Sequence, residues 1–466
     1  MAKNKLIGRV LATEKSPTTI DEFYFWTNTD TKLNAFDIVK VVRDDGSETY
    51  GVIESISHIT DATSFLTNFI SADFGNVDTI EPTFRIGMNY ARAKVSYNTK
   101  SDYTPVHNNS KVYLADEEEI TFALGLDKVD NPLVCGSLKM YEGTADEVTL
   151  PVRLNAKFLL GSEGAHLNIS GISGLAAKTS YAMFLMKSIQ DTYATMSDED
   201  DSVAFVLFNV KGRDLMAIDC PNDELDEKTL AEYSNLKLSI TPFKQAKYYV
   251  PFSDNELPKQ STYLSREDVA SYIASGKLKK FKYVYSEDKE GIEMMFANVE
   301  DPNQTMEAIV SKIIDENDSD FGDLRNWADF LDKVSVNSQK GSSASKGEIS
   351  VLSWRKFKRI VSKAIKNDGM FANRVQPEQS ECRLADALKH IKKNEVHVID
   401  IAKLQEDKQA FVFGDVVKTI YNLKLGEYDN ELDALPPARI VIFIDELNKY
   451  ASNDVPKASP IRELHT

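Results

Sequence analysis

The chain has 466 residues, is 42% hydrophobic and 27% charged, and carries a net charge of −17. That length predicts two to four domains with sizeable cores, and no apolar run approaches the roughly 18 residues of a membrane-spanning helix. The acidic balance excludes a surface that coats nucleic acid non-specifically but leaves room for a local basic groove. The opening MAKNKLIGRV has no apolar signal-peptide core, so a cytoplasmic location is expected. Cys135, Cys220 and Cys382 are far apart and in no metal spacing, and six scattered histidines form no zinc pattern. The cysteines are expected to be buried small hydrophobes.

Residues 1–150 read as β-structure. Short apolar or alternating runs recur at Leu6–Leu11, Phe23–Thr27, Asp37–Val42, Tyr50–Ile56, Ala93–Tyr97, Lys111–Leu114 and Val148–Leu154. Turn signals such as Asp44-Asp45-Gly46 and Asp130-Asn131-Pro132 separate them. Many short strands predict a small barrel or sandwich. His58 and His107 stand alone, and no catalytic constellation is visible here.

Residues 151–218 change character. Ala165–Ile169 reads as a strand, Ser170–Ala177 as a Gly/Ser-rich loop, and the stretch from Lys178 to about Thr192 as a helix with Ala182, Met183, Leu185, Met186 and Ile189 at helical spacing. Strand, Gly-rich loop, Lys-Thr and helix is the anatomy of a phosphate-binding loop. Its backbone N–H groups face phosphate at the positive end of the helix dipole, its lysine reaches the β- and γ-phosphates, and its hydroxyl meets Mg²⁺. The strict motif, G-x-x-x-x-G-K-[ST], would put glycine at 177 and 172, where this chain has Ala177 and Ile172. Gly171 and Gly174 fit only a loop one residue longer. The alternative is a Gly/Ser turn with an incidental lysine. The next run, VAFVLFNV (203–210), is almost wholly apolar and predicts a strand buried on both faces of a parallel sheet. Lys211 and Arg213, just beyond it, are either phosphate contacts or a solvated strand end.

Residues 219–392 read as a mainly helical insertion, with helical patterns at 226–236, 265–275, 303–316, 322–334, 353–366 and 381–393. Gly341–Gly347 reads as a flexible loop. Two basic runs stand out, Gly276–Lys282 and Trp354–Lys366. The second is amphipathic, with Trp354, Phe357, Ile360, Val361 and Ile365 on one face. Lys356, Lys358 and Arg359 on the other are candidate contacts to DNA phosphates or an acidic partner, against the plainer reading of a solvated face.

From residue 393 the pattern returns to α/β. Glu395–Leu404 contains a strand in which His397 reads as a core histidine, and Phe411–Gly414 reads as a helix entry capped by Asp415. ARIVIFIDE (438–446) is an apolar strand ending in two carboxylates. An NTPase uses such a strand end opposite its phosphate loop, with Asp445 on Mg²⁺ and Glu446 polarising the attacking water. The two signals together are far more specific than either alone.

On these residues the chain resembles the HerA-type ATPases of bacteria and archaea, relatives of the FtsK DNA translocases. NISGISGLAAKTSYAMFLM is similar to a variant phosphate loop of the form G-x-S-G-x-x-x-K-T-S, and IFIDELNKY to the acidic strand. The resemblance implies an α/β fold: an N-terminal β-barrel of the HAS-barrel kind over 1–150, then a RecA-like P-loop NTPase core in two parts, 151–218 and 393–466, around the insertion. It implies nucleotide contacts from Gly171, Ser173, Gly174, Ala177, Lys178, Thr179 and Ser180, Mg²⁺ at Thr179 and Asp445, and Glu446 as the catalytic carboxylate. ATP and Mg²⁺ are the implied cofactors. A homo-hexameric ring on double-stranded DNA, working with a NurA-like nuclease or a phage-defence effector and with no membrane, is the implied assembly. Only 20 residues follow Glu446 in this sequence, too few for the further strand and the arginine expected of a complete core. The core is therefore expected to be incomplete, with hydrolysis reduced on the order of 10³-fold or more. Two alternatives remain: a partner-binding remnant without turnover, and an ATPase of a secretion or conjugation machine.

Overall fold

A computed structural model describes residues 5–71, 73–75, 78, 86–161, 165–171, 177–196, 201–253, 261–296, 304–340, 349–432 and 434–446. The chain divides into two compact units, one within Met1–Asn168 and Leu225–Ile240, the other within Ile169–Glu224 and Thr241–Thr466.

In the first unit, β1 (Leu6–Leu11), β2 (Glu22–Thr27), β3 (Ile38–Val42), β4 (Glu48–Thr60), β5 (Gly87–Asn98) and β6 (Lys111–Leu114) close into a six-stranded barrel. Every pairing is antiparallel, in the order β1-β2-β5-β4-β3-β6. Alternation drives the closure: Phe23 and Phe25 point inward and are fully buried, while Trp26 between β2 and solvent is exposed. Gly8 is required by close approach, since a Cβ there would stand 2.2 Å from the Trp26 carbonyl oxygen. The buried Lys40 ammonium is held by Glu119 and, at 3.5 Å, by Glu48. The expected strand at Val148–Leu154 is not a barrel strand. It lies in β8 (Val148–Asn155), which forms a separate hairpin with β7 (Pro132–Met140). The hairpin seals one side of the barrel core through Met140, Tyr141 and Leu150. The buried Tyr141 hydroxyl lies 2.7 Å from the Ile38 carbonyl and accepts the Ala115 N–H at 3.0 Å.

The second unit is built on a six-stranded, wholly parallel sheet. Its strands are β9 (Val203–Asn209), β10 (Ala246–Pro251), β11 (Leu278–Phe281), β14 (Glu381–Cys382), β15 (Val396–Asp400) and β16 (Arg439–Ile444), and a small parallel pair, β12 (Tyr283–Val284) with β13 (Phe371–Ala372), stands apart. The order across the main sheet is β14-β11-β10-β15-β9-β16. All seven residues of β9 and all five of β15 are buried, as continuous apolar runs in a parallel sheet require. Among the described residues β16 pairs with β9 alone, and its six residues are half-buried.

The stretch expected as a helical insertion does carry helices near each expected place, and it also supplies β10, β11 and β14 to the sheet. The basic run 276–282 is part of that framework. Leu278 and Phe281 are buried in β11, Lys282 is paired with Glu381 at 2.8 Å over the Phe252 ring, and Lys277 is paired with Asp219. The helix Val351–Ile365 is amphipathic as expected. Trp354, Phe357, Val361, Ala364 and Ile365 are buried, with Trp354 stacked on Phe321 and Phe357 on Phe296. Cys135 and Cys382 are buried free thiols, whereas Cys220 is exposed, contrary to expectation, in the turns after β9. His397 is a core residue, with Nε2 2.9 Å from Glu395 and Nδ1 3.1 Å from the Tyr249 hydroxyl; burial lowers its pKa. Among the described residues no helix is long and apolar enough to cross a membrane.

Asp415 does not cap a helix. The helix runs Glu406–Lys424 with Gln405 at its cap, and Asp415 is buried in its middle. Gly414, which reads as a break in the sequence, is tolerated there because a Cβ would meet the Met294 side chain at 2.5 Å. Burial pushes the Asp415 carboxyl up to about 7; the Asp288 carboxylate acts the same way, and Tyr283, Arg383 and Lys418 oppose it. The folded chain therefore keeps a proton that the unfolded chain loses near the ordinary value of 3.8. This contribution to stability is fully present below about pH 4 and is lost as pH rises through about 7. Asp415→Asn should accordingly gain stability relative to wild type between about pH 5 and about pH 8, read as a widening difference in melting temperature. A pH-independent difference would contradict the account.

Candidate functional site

The helix Ala177–Ala194 forms because Ala182, Leu185, Met186, Ile189 and Tyr193 recur every three or four residues and are buried. Its direction is fixed at its far end. The Gln190 side-chain amide donates at 2.9 Å to the carbonyls of Lys244 and Asn394, which directly precede β10 and β15. The helix thus runs antiparallel to the strands. Its first turn, with Lys178, Thr179 and Ser180, lies roughly 18 Å back along the axis, at the C-terminal edge of the sheet. The first N–H groups of a helix have no partner within it, and that turn carries the positive end of the helix dipole.

Three strands bring polar residues to the same edge. Asn209 ends β9, Asp400 ends β15 directly beside it in register, and Asp445 follows Ile444, whose partner Phe208 precedes Asn209. Thr179 Oγ stands 3.5 Å from Asp445 Oδ2 although the two residues are 266 positions apart. At that distance they form a weak hydrogen bond at best. The spacing is close to the separation of about 3 Å between neighbouring oxygen ligands on one octahedral Mg²⁺. A hydroxyl and a carboxylate set side by side therefore fit the oxygen-donor chemistry of that ion. Among the described residues no group of three or more His, Cys, Asp or Glu converges to hold a metal. Mg²⁺ sites at phosphates take only one or two protein oxygens and complete the shell with phosphate and water.

Glu446 turns out of the strand with φ of 55°, a left-handed conformation, and its N–H donates to Asp445 Oδ1 at 2.9 Å. Its side chain is exposed. Gly171 packs against the Lys178 stem, since a Cβ there would lie 3.2 Å from Lys178 Cγ. Ser173 and Gly174 lie outside the described residues, as does the Ala177 side chain. Ala165–Ile169 is not the expected strand. Among the described residues it pairs with no strand, and Leu167 is 54% exposed. Five alternating residues without a neighbour to complete a hydrogen-bonded ladder do not hold a strand. Lys211 and Arg213 are exposed in the turn after β9. Of the basic-helix candidates, Lys356 is half-buried, Lys358 donates to Ser335 Oγ at 2.8 Å, and Arg359 is exposed.

Asp400 is a member of this edge that the sequence reading missed; Asn209, in the polar strand end expected here, is its partner. The Asn209 amide donates to Asp400 Oδ1 at 2.9 Å and to the Gly212 carbonyl at 3.0 Å, tying the turn after β9 to β15. Both side chains are buried, and burial raises the Asp400 pKa against the hydrogen bonds it receives from Asn209 and the Ala402 N–H. The signal was present: VHVID ends an apolar strand in a carboxylate just as IFIDE does.

No family model matches the chain, and no curated protein matches it.

Asp400→Ala should destabilise the second unit by about 1–3 kcal/mol, because it leaves the Asn209 amide and the Ala402 N–H buried without that acceptor. Chemical denaturation measures this directly. A loss within about 0.5 kcal/mol would mean that the pair is not structural.

Proposed function

We propose that this chain binds ATP with Mg²⁺ at the C-terminal edge of its parallel sheet and acts as an ATP hydrolase of the HerA type, with a RecA-like core and a HAS-barrel-like N-terminal barrel. The observation that carries the reading is the Thr179–Asp445 contact, which joins two motifs singled out separately for the two halves of one Mg²⁺ site. The first turn of the helix Ala177–Ala194 supplies N–H groups and Lys178 for the phosphates, with Thr179 and Ser180 beside it. Thr179 and, through water, Asp445 would hold Mg²⁺, which would supply neutralisation of the phosphate charge. Glu446, next along the chain and exposed, is the carboxylate that orients and deprotonates a water. On this reading the partners are copies of the same chain in a ring, double-stranded DNA, and a NurA-like nuclease or defence effector.

A second reading, a partner-binding module without turnover, is supported by the segment 165–169 before the loop, which is largely exposed and among the described residues pairs with no strand. The two diverge on hydrolysis. Lys178→Ala should weaken ATP binding at least about tenfold, the loss of one charge-assisted contact. Glu446→Gln should retain binding while phosphate release falls by about 10²-fold or more. Titration calorimetry and a phosphate-release assay check both. Unchanged affinity in Lys178→Ala overturns the site. Binding without any Lys178-dependent hydrolysis in wild type favours the second reading.

A further inference from the structure

The polar face of the helix Val351–Ile365 meets the C-terminal end of the helix Trp327–Asn337 at an open groove of about 620 Å³. Four cations line it, Lys340, Arg355, Lys358 and Arg359, together with Ser338 and Ser362, and among the described residues no carboxylate does. None of the four forms an ion pair among the described residues. Arg355 Nε donates at 3.0 Å to the Ser338 carbonyl and Lys358 Nζ at 2.8 Å to Ser335 Oγ, both neutral oxygens. Their neighbours are paired: Lys312 and Lys333 with Asp320, Lys363 with Asp407, and Lys408 with Asp368. In a chain of net charge −17, unpaired cations gathered in one groove concentrate a local positive potential.

The groove is also stiffly supported. Arg355, Lys358 and Arg359 alternate with Trp354 and Phe357, which are fully buried and stacked on Phe321 and Phe296. The backbone carrying the charges is thereby held by the core, which lowers the ordering cost of binding.

We infer that this groove is an anion site, separate from the site at Thr179 and Asp445, that takes a small, multiply charged phosphate compound of di- or triphosphate size. Its volume falls in the range of small-molecule sites. A nucleic-acid track would continue the basic surface and offer aromatic faces for bases. Here the next lysine along the helix, Lys363, is already paired with Asp407, and among the described residues no lining residue is aromatic. Two guanidinium groups, two ammonium groups and hydroxyls lining one groove are the donor types that bind phosphate oxygens.

The probe is inorganic tripolyphosphate, titrated by calorimetry at constant ionic strength into the full chain carrying Lys178→Ala, which silences the other candidate site. The double variant Lys340→Glu with Arg359→Glu is the control. Both positions are exposed, and neither side chain makes a hydrogen bond or ion pair among the described residues, so the fold should persist; an unchanged melting curve checks this. The expected result is binding in the Lys178→Ala chain that weakens by about tenfold or more on charge reversal. Absence of binding, or binding indifferent to the reversal, overturns the inference. Displacement of tripolyphosphate by a short DNA duplex at lower phosphate concentration also overturns it, in favour of a nucleic-acid surface. None of these outcomes bears on the Thr179–Asp445 site.

Discussion

In a parallel sheet every strand ends at the same edge, and this constraint organises the second unit. β9 and β15 are buried on both faces, and apart from His397, held inside by Glu395 and Tyr249, their polar residues stand at the strand ends. Asn209, Asp400 and Asp445 are consequently set in neighbouring strands at one edge. The helix Ala177–Ala194, pinned by Gln190 to the opposite edge, must start where those strands finish. Thr179 and Asp445 meet because of topology, with no local sequence relation between them. Ligand sites of open α/β sheets lie at this edge for the same reason.

Charge follows a similar economy. Several cations of this acidic chain are paired internally, some in the core, as with Lys40 beside Glu119 and Lys282 beside Glu381. Burial of such pairs is tolerated only because each charge finds its counter-ion. The groove on the helix Val351–Ile365 departs from that pattern. Asp415 departs in the other direction, as a buried carboxyl that stays protonated toward neutral pH.

Period and hydrophobicity made much of this visible in the sequence. Alternation in the first 150 residues located the six barrel strands, though β5 begins well before the expected Ala93 and β7 was missed, and VAFVLFNV announced a doubly buried strand. The Lys178-Thr179 and Asp445-Glu446 pairs were legible because each breaks an apolar pattern with the residue types that phosphate and Mg²⁺ chemistry needs. Other features depend on contacts that no local pattern encodes. Gly414 looked like a helix boundary but is an accommodation to Met294. The run 276–282 stood out only as basic, whereas Leu278 and Phe281 commit it to the sheet. Ala165–Ile169 alternates like a strand but finds no neighbour, and pairing, not alternation, makes a strand. Asp400 was overlooked because a single carboxylate after an apolar run has many uses until its neighbours are known.

The account stands on Thr179 and Asp445 acting together on one Mg²⁺ of a bound nucleotide. A double-mutant cycle of Thr179→Ala and Asp445→Ala, reading ATP affinity with and without Mg²⁺ by calorimetry, tests this most directly. The account predicts that each single change removes most of the Mg²⁺ enhancement and that the double variant loses little more, a coupling of about 1 kcal/mol or more. Additive effects, or ATP binding indifferent to Mg²⁺ in the wild type, would contradict it.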